Sequence, residues 1–176
     1  IAAAAALFPN ARTSLPNSAG VVLPFPSDLA RPGIALYGGG HDAKRLGLRP
    51  VMTVDAPVLS VFGVNAGDAT GYGATARFDR PTQLATIAFG YADGLPRSAS
   101  NSGFAILNHE KARLVGRVSM DLCTVALSGA NSLHIGDRAE FWGVNADLEE
   151  QAVAAKTLGY ELLTGLGPRV ERIWTS

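Results

Sequence analysis

Phe104-Ala105-Ile106-Leu107-Asn108-His109-Glu110-Lys111-Ala112-Arg113-Leu114-Val115 sets two short apolar runs around a compact polar break. Runs this short, bounded by turn chemistry, read as strands rather than helices. The stretch therefore predicts strands over 104–107 and 112–115, joined by a hairpin turn over 108–111. Working outward, similar runs lie at 72–78, 83–89, 122–127 and 138–142. Residues 51–64 form a longer run rich in β-branched residues, and Pro57 within it marks an edge or a bulge. Many short strands with Gly-rich turns imply a barrel or sandwich, largely antiparallel. The fold class is mainly β.

One helix interrupts this pattern. Asp147 can cap its start, with Glu150 at capping-box spacing. Gln151, Ala154, Ala155 and Leu158 share one side at helical spacing, and Gly159 reads as the stop. A second helical piece is expected over 160–164, and a closing strand over 169–174.

The first part of the chain alternates instead. Residues 1–7 read as a helix interior, 11–15 as a strand, 16–20 as a turn, a short segment around 27–30 as a helix, and 34–37 as a strand. That order belongs to βα architecture, and two such units are too few to close a parallel sheet. An opening in a helix-like alanine run implies further sequence upstream. Gly38-Gly39-Gly40 and the polar stretch to Arg49-Pro50 mark the boundary. The expected organisation is 1–48 as the end of a larger α/β unit and 49–176 as a β domain.

Composition narrows the function. Apolar residues are 47% of the 176 and charged residues 17%, enough for a packed core. Fifteen basic residues balance fifteen acidic ones, which points away from nucleic acid and acidic membrane partners. The apolar opening is too short to span a membrane and has no basic leader. Cys123 is the only cysteine, compatible with a reducing, cytoplasmic compartment. His41, His109 and His134 have no zinc-ligand spacing and read as surface or loop residues, so no metal site is expected.

Gly71-Tyr72-Gly73-Ala74-Thr75-Ala76 fits the spacing of a dinucleotide fingerprint, but Arg77-Phe78-Asp79-Arg80-Pro81 does not start the helix such a motif needs. The stretch gains meaning from four others: Pro16-Asn17-Ser18-Ala19, Arg31-Pro32-Gly33-Ile34-Ala35-Leu36-Tyr37-Gly38, Gly90-Tyr91-Ala92-Asp93-Gly94-Leu95-Pro96-Arg97 and Gly116-Arg117-Val118-Ser119-Met120-Asp121. Alone, each could be a Gly-rich turn beside a strand. In this order, and over nearly the whole chain, they closely resemble alanine racemase.

The resemblance implies a barrel that holds pyridoxal 5'-phosphate (PLP), followed by a β domain. It also implies a homodimer whose active sites each take residues from both subunits. Racemisation removes a proton from one face of alanine and returns one to the other, so two acid/base groups are needed. In the family these are the cofactor lysine and a tyrosine from the other subunit, which Tyr72 matches. An ordinary tyrosine titrates near pH 10, so a base role calls for nearby positive charge. The plain alternative for Tyr72 is a packed strand aromatic between two glycines.

Other roles carry over by motif. Arg31 matches the arginine facing the pyridine nitrogen; the plain alternative is a surface arginine before Pro32. Ser18, Gly33 and Ile34 match phosphate contacts, where ordinary turn chemistry is the alternative. Met120 matches a residue whose backbone N–H meets the substrate carboxylate, and would otherwise be core filler. Tyr91, Arg97 and Arg117 match the lining of the substrate access path, with Asp93 and Asp121 as structural partners for those arginines.

Two departures stand out. The segment bearing the cofactor lysine is absent, and Lys44, Lys111 and Lys156 sit in a polar loop, a hairpin and a helix. The chain alone is therefore expected to be inactive. Pro168 also stands before Arg169-Val170 where many relatives have a tyrosine. Two other readings remain open: a non-catalytic β module acting in dimerisation or regulation, and a racemase of serine or a broader range of amino acids.

Overall fold

A computed structural model describes residues 2–23, 27–128 and 133–175. Ile1 and Ser176, the ends of the two expected regions, lie outside them. The chain divides into two compact units, residues 1–51 and 52–176.

In the first unit, helix α1 (Ala2–Ala6) precedes strands β1 (Ser14–Asn17) and β2 (Leu29–Arg31), which pair in parallel. β2 replaces the short helix expected around 27–30. The Asp28 carboxylate accepts the Thr13 N–H at 2.7 Å and the Thr13 hydroxyl at 2.9 Å, and the Ser27 hydroxyl accepts the Leu15 N–H. Such side-chain bonds to a neighbouring backbone compete with helix formation and draw the segment alongside β1. β1 itself lies later than the expected 11–15 and takes in Pro16 and Asn17. The strand expected at 34–37 is a 3-10 helix, Ile34–Tyr37. Its first N–H groups turn toward Ser18, and Gly38 closes it in the left-handed region at φ 77°.

The second unit is a closed barrel of six strands: β3 (Val54–Val64), β6 (Thr82–Ile87), β7 (Phe104–Leu107), β8 (Glu110–Leu114), β9 (Cys123–Leu127) and β10 (Arg138–Trp142). The ring runs β10-β3-β6-β9-β8-β7, and every pairing in it is antiparallel. The β7–β8 hairpin is tighter than expected. Asn108 and His109 alone make the loop, both at positive φ, with Leu107 opposite Glu110. β3 changes register between Val58 and Ser60, just beyond Pro57. That irregularity lets a proline sit in a closed sheet.

Alternation fills the interior. Val54, Ala56 and Val58 point inward from β3, Ala105 and Leu107 from β7, Ala112 and Leu114 from β8, Cys123 and Val125 from β9. Small residues face one another across the strands, as in the Ala105–Ala112 and Ala56–Ala139 pairs. They leave room for the large rings of Phe89, Phe141 and Trp142, with Phe89 and Phe141 centred 4.6 Å apart. A six-stranded barrel is narrow enough for side chains to fill it.

Three expectations fail here. The strand predicted over 72–78 shrinks to β5 (Ala76–Arg77), paired with β4 (Ala69–Thr70). Gly71, Gly73 and Ala74 all have positive φ, so residues 71–75 are a turn. Helix α2 (Leu148–Ala154) is capped by Asp147, whose carboxylate accepts the Glu150 N–H, but it ends before Gly159. Lys156 takes a φ of 55°, the chain reverses, and Gly159 instead opens helix α3 (Gly159–Thr164). Leu158 is thereby exposed, and Ala152 joins Gln151 and Ala155 in the core. Gln151 lies wholly buried, its side-chain amide bonded to both the N–H and the carbonyl of Phe104. No strand forms over 169–174: Val170 donates its N–H to the Gly167 carbonyl in a local turn, and the Arg169 side chain forms ion pairs with Asp93 and Asp121.

Candidate active site

The turns between barrel strands carry most of the residues singled out by sequence, and backbone contacts bring them together. Gly71 and Gly116 meet so closely that a Cβ on Gly71 would lie 2.9 Å from the Arg117 nitrogen. A Cβ on Gly73 would lie 3.3 Å from Nη1 of Arg117, so that guanidinium rests against the turn bearing Tyr72. Tyr72 is 73% exposed. It is therefore neither a strand residue nor a packed aromatic.

The 116–121 turn also meets the turn that follows β6. Tyr91 donates its N–H to the Ser119 carbonyl at 3.0 Å, and Ala92 donates to the Met120 carbonyl at 2.9 Å. Gly90 has no room for a side chain, because its Cβ would overlap the Met120 carbonyl. Met120 is 53% exposed, not core filler, and its N–H bonds to no described residue.

Arg97 begins a short 3-10 helix, Arg97–Ala99. The next two residues fasten it to the same turn: the Ser100 hydroxyl accepts the Val118 N–H at 3.0 Å and the Asn101 side-chain carbonyl accepts the Gly116 N–H at 2.7 Å. Tyr72, Tyr91, Arg97, Arg117 and Met120 thus stand on turns tied into one network. All five are exposed.

The expected ion pairs are different. Asp93 and Asp121 do not partner Arg97 and Arg117. Both pair with Arg169, Nε to Asp93 at 2.7 Å and Nη2 to Asp121 at 2.6 Å. The two carboxylates hold the Arg169 guanidinium above its already high pKa. Arg97 and Arg117 have no carboxylate partner among the described residues. Sequence reasoning missed Arg169, Ser100 and Asn101. The Pro168-Arg169-Val170 stretch drew notice for its missing tyrosine, while its arginine was taken for part of a strand.

The first unit gathers its own residues. The Ser18 hydroxyl accepts the N–H groups of Gly33 at 2.7 Å and Ala35 at 3.2 Å. Ile34 is buried between those two positions. Arg31 is exposed on β2, its Nε donating to the Ser14 hydroxyl at 3.0 Å and its Nη2 to the Leu15 carbonyl at 3.3 Å.

Among the described residues no three His, Cys, Asp or Glu side chains cluster as a metal site would require, and no helix is long and apolar enough to cross a membrane. Lys111 is held by Glu150 and lies over the Phe104 ring, 3.8 Å from its centroid.

Residues 51–174 match the family described as alanine racemase, C-terminal domain. The chain is 45% identical over 175 residues to the alanine racemase of Acidiphilium cryptum, covering 98% of this chain and 49% of that protein. It is 41% identical to the one from Marinobacter nauticus, covering 97% and 49%. Among solved structures it is similar to the biosynthetic alanine racemase of Pseudomonas aeruginosa, with a TM-score of 0.89, 41% identity and coverage of 94% and 48%. The alanine racemase of Bartonella henselae with covalently bound pyridoxal phosphate gives 0.89, 39% identity and coverage of 97% and 48%. The chain spans about half the length of the curated relatives it matches.

Proposed function

The chain belongs to the alanine racemase family, through its C-terminal domain, and on that premise we propose that its residues serve the interconversion of L- and D-alanine. The protein acts as a cytoplasmic homodimer in this reading. Residues 1–48 are the end of the PLP barrel, and residues 49–176 are the β domain that reaches the site of the other subunit.

The residues of the first unit suit the phosphate end of PLP. The Ser18 hydroxyl oxygen accepts the N–H groups of Gly33 and Ala35, which leaves its own O–H to donate to a phosphate dianion that approaches this turn. Gly33 leaves the approach unfilled by a Cβ. Ser18, Gly33 and Ile34 would hold the phosphate, and Arg31 would serve the pyridine nitrogen. An arginine keeps its proton, so it leaves that nitrogen largely unprotonated. PLP, when bound, spreads the charge left at Cα as its proton departs. The covalent lysine would come from the part of the relatives that this chain does not cover.

In the β domain, Tyr72 would take or return the α-proton through its phenolic oxygen. Arg117, resting against Gly73, offers the positive charge that this role needs. The Met120 N–H would donate to the substrate carboxylate. Arg97 and Arg117 would draw that carboxylate inward past Tyr91.

The observation that carries this reading is the union of the Tyr72 turn with the 116–121 turn, in which the Met120 N–H has no partner among the described residues. The test is racemisation by the full-length protein loaded with PLP. Chiral chromatography should find D-alanine formed from L-alanine. A loaded, folded protein that forms none would overturn the proposal.

A further inference from the structure

The Arg169 guanidinium stands where three segments of the second unit meet. Its Nε reaches Asp93 in the turn after β6, and its Nη2 reaches Asp121 at the end of the Met120 turn. Arg169 itself lies in the segment after α3. That segment is pressed against the first turn: Gly167 donates its N–H to the Asp93 carbonyl at 3.2 Å, and a Cβ on Gly94 would lie 2.9 Å from the Gly165 carbonyl.

The Asp93 side chain is only 12% exposed. Its second oxygen accepts the Gly90 N–H at 2.8 Å, within the turn that bears Tyr91. A carboxylate this buried is costly unless paired. Asp121, by contrast, is exposed, and an exposed pair adds little stability by itself. A role limited to holding the fold together would need the Asp93 contact alone. The second prong lands beside the residue whose backbone N–H is free.

We infer that Arg169 is a positioning residue: it locks the Tyr91 turn and the Met120 turn in one arrangement and so fixes the direction of the Met120 N–H. The inference rests on the proposed role of that N–H toward the substrate carboxylate. Arg169 touches neither the carboxylate nor the reacting atoms in this scheme. It acts through Asp93 and Asp121.

Two measurements test it. In this chain, Arg169→Ala should speed amide hydrogen exchange at Tyr91 and Ala92 by roughly tenfold or more, while Ala85 and Val125 in the barrel ladder keep their rates. Asp121→Asn, which spares the buried Asp93 contact, should loosen the same two amides to a smaller degree; it supplies the readout if the Arg169 variant does not fold. In the full-length protein, Arg169→Ala should lower kcat/KM for alanine by about 10²-fold, mainly by raising KM, as a displaced binding group does. Arg169→Lys, able to keep the Asp93 contact, should recover part of the loss. Unchanged exchange at Tyr91 and Ala92, or an unchanged KM in an active protein, would overturn the inference. An inactive parent would overturn the proposed function instead, and the exchange measurement would still decide whether Arg169 holds the turns.

Discussion

Ala92 donates its backbone N–H to the Met120 carbonyl at 2.9 Å, which makes the Met120 turn and the Tyr91 turn one structural object. The bond depends on Gly90, whose missing side chain lets the two backbones approach. Gly90→Ala would force a methyl group into the Met120 carbonyl. Overpacking of this kind typically costs about 1–3 kcal/mol. Thermal unfolding should show that loss, with faster exchange at the Ala92 amide. A variant as stable as the parent, with the Ala92 amide still protected, would show that the turns are less tightly coupled.

Cys123 points into the barrel from β9, and burial pushes its thiol well above the usual range. The folded thiol therefore stays protonated where an unfolded one ionises. The linkage favours the fold below the ordinary thiol pKa, and that contribution is lost as pH rises through and beyond it. Labelling by a thiol reagent should be slow in the folded chain between pH 7 and 9, and fast once denaturant is added. Rapid labelling under native conditions would contradict a closed barrel at this point.

The barrel was the legible part of the sequence. β7 and β10 have the expected bounds because turn residues stand on both sides of each, Gly103 and Asn108 around the first, Asp137 and Gly143 around the second. The capping of α2 by Asp147 was also readable, since one carboxylate and one backbone N–H decide it. Segments governed by distant partners were not. Residues 27–30 look helical until Asp28 meets Thr13, fifteen residues away, and residues 34–37 look extended until Ser18 gathers the N–H groups of Gly33 and Ala35. At the candidate site, the motifs marked Tyr72 and Met120, but local sequence placed Tyr72 in a strand. Arg169 could not be found from spacing, because its partners lie 76 and 48 residues away.

Exposure at the candidate site bears on association. Tyr72, Tyr91 and Met120 all reach solvent in the single chain, while the proposed enzyme would cover them with a second subunit. The formal net charge of zero offers little repulsion between copies. Light scattering over a concentration series should show this chain self-associating. A strictly monomeric chain at high concentration would argue for an independent module.

The chain alone should not racemise alanine even with PLP added. Lys111 is committed to Glu150 and the Phe104 ring, and Lys44 and Lys156 lie outside both groups of site residues. Incubation with L-alanine and PLP should yield no D-alanine above the cofactor's own background. Turnover near that of a full-length racemase would require a lysine of this chain to act.

The central claim is that Tyr72 moves the proton on one face of the substrate. Tyr72→Phe in the full-length protein keeps the ring and removes only the phenolic oxygen. A positioned acid/base group typically contributes about 10²–10⁴-fold to the rate, and the variant should lose activity on that scale. Exchange of the α-hydrogen with solvent deuterium, followed separately from L- and D-alanine, is the most direct measurement. The account predicts that exchange collapses for the enantiomer whose proton Tyr72 removes and falls less for the other. Near-normal exchange from both enantiomers would contradict it.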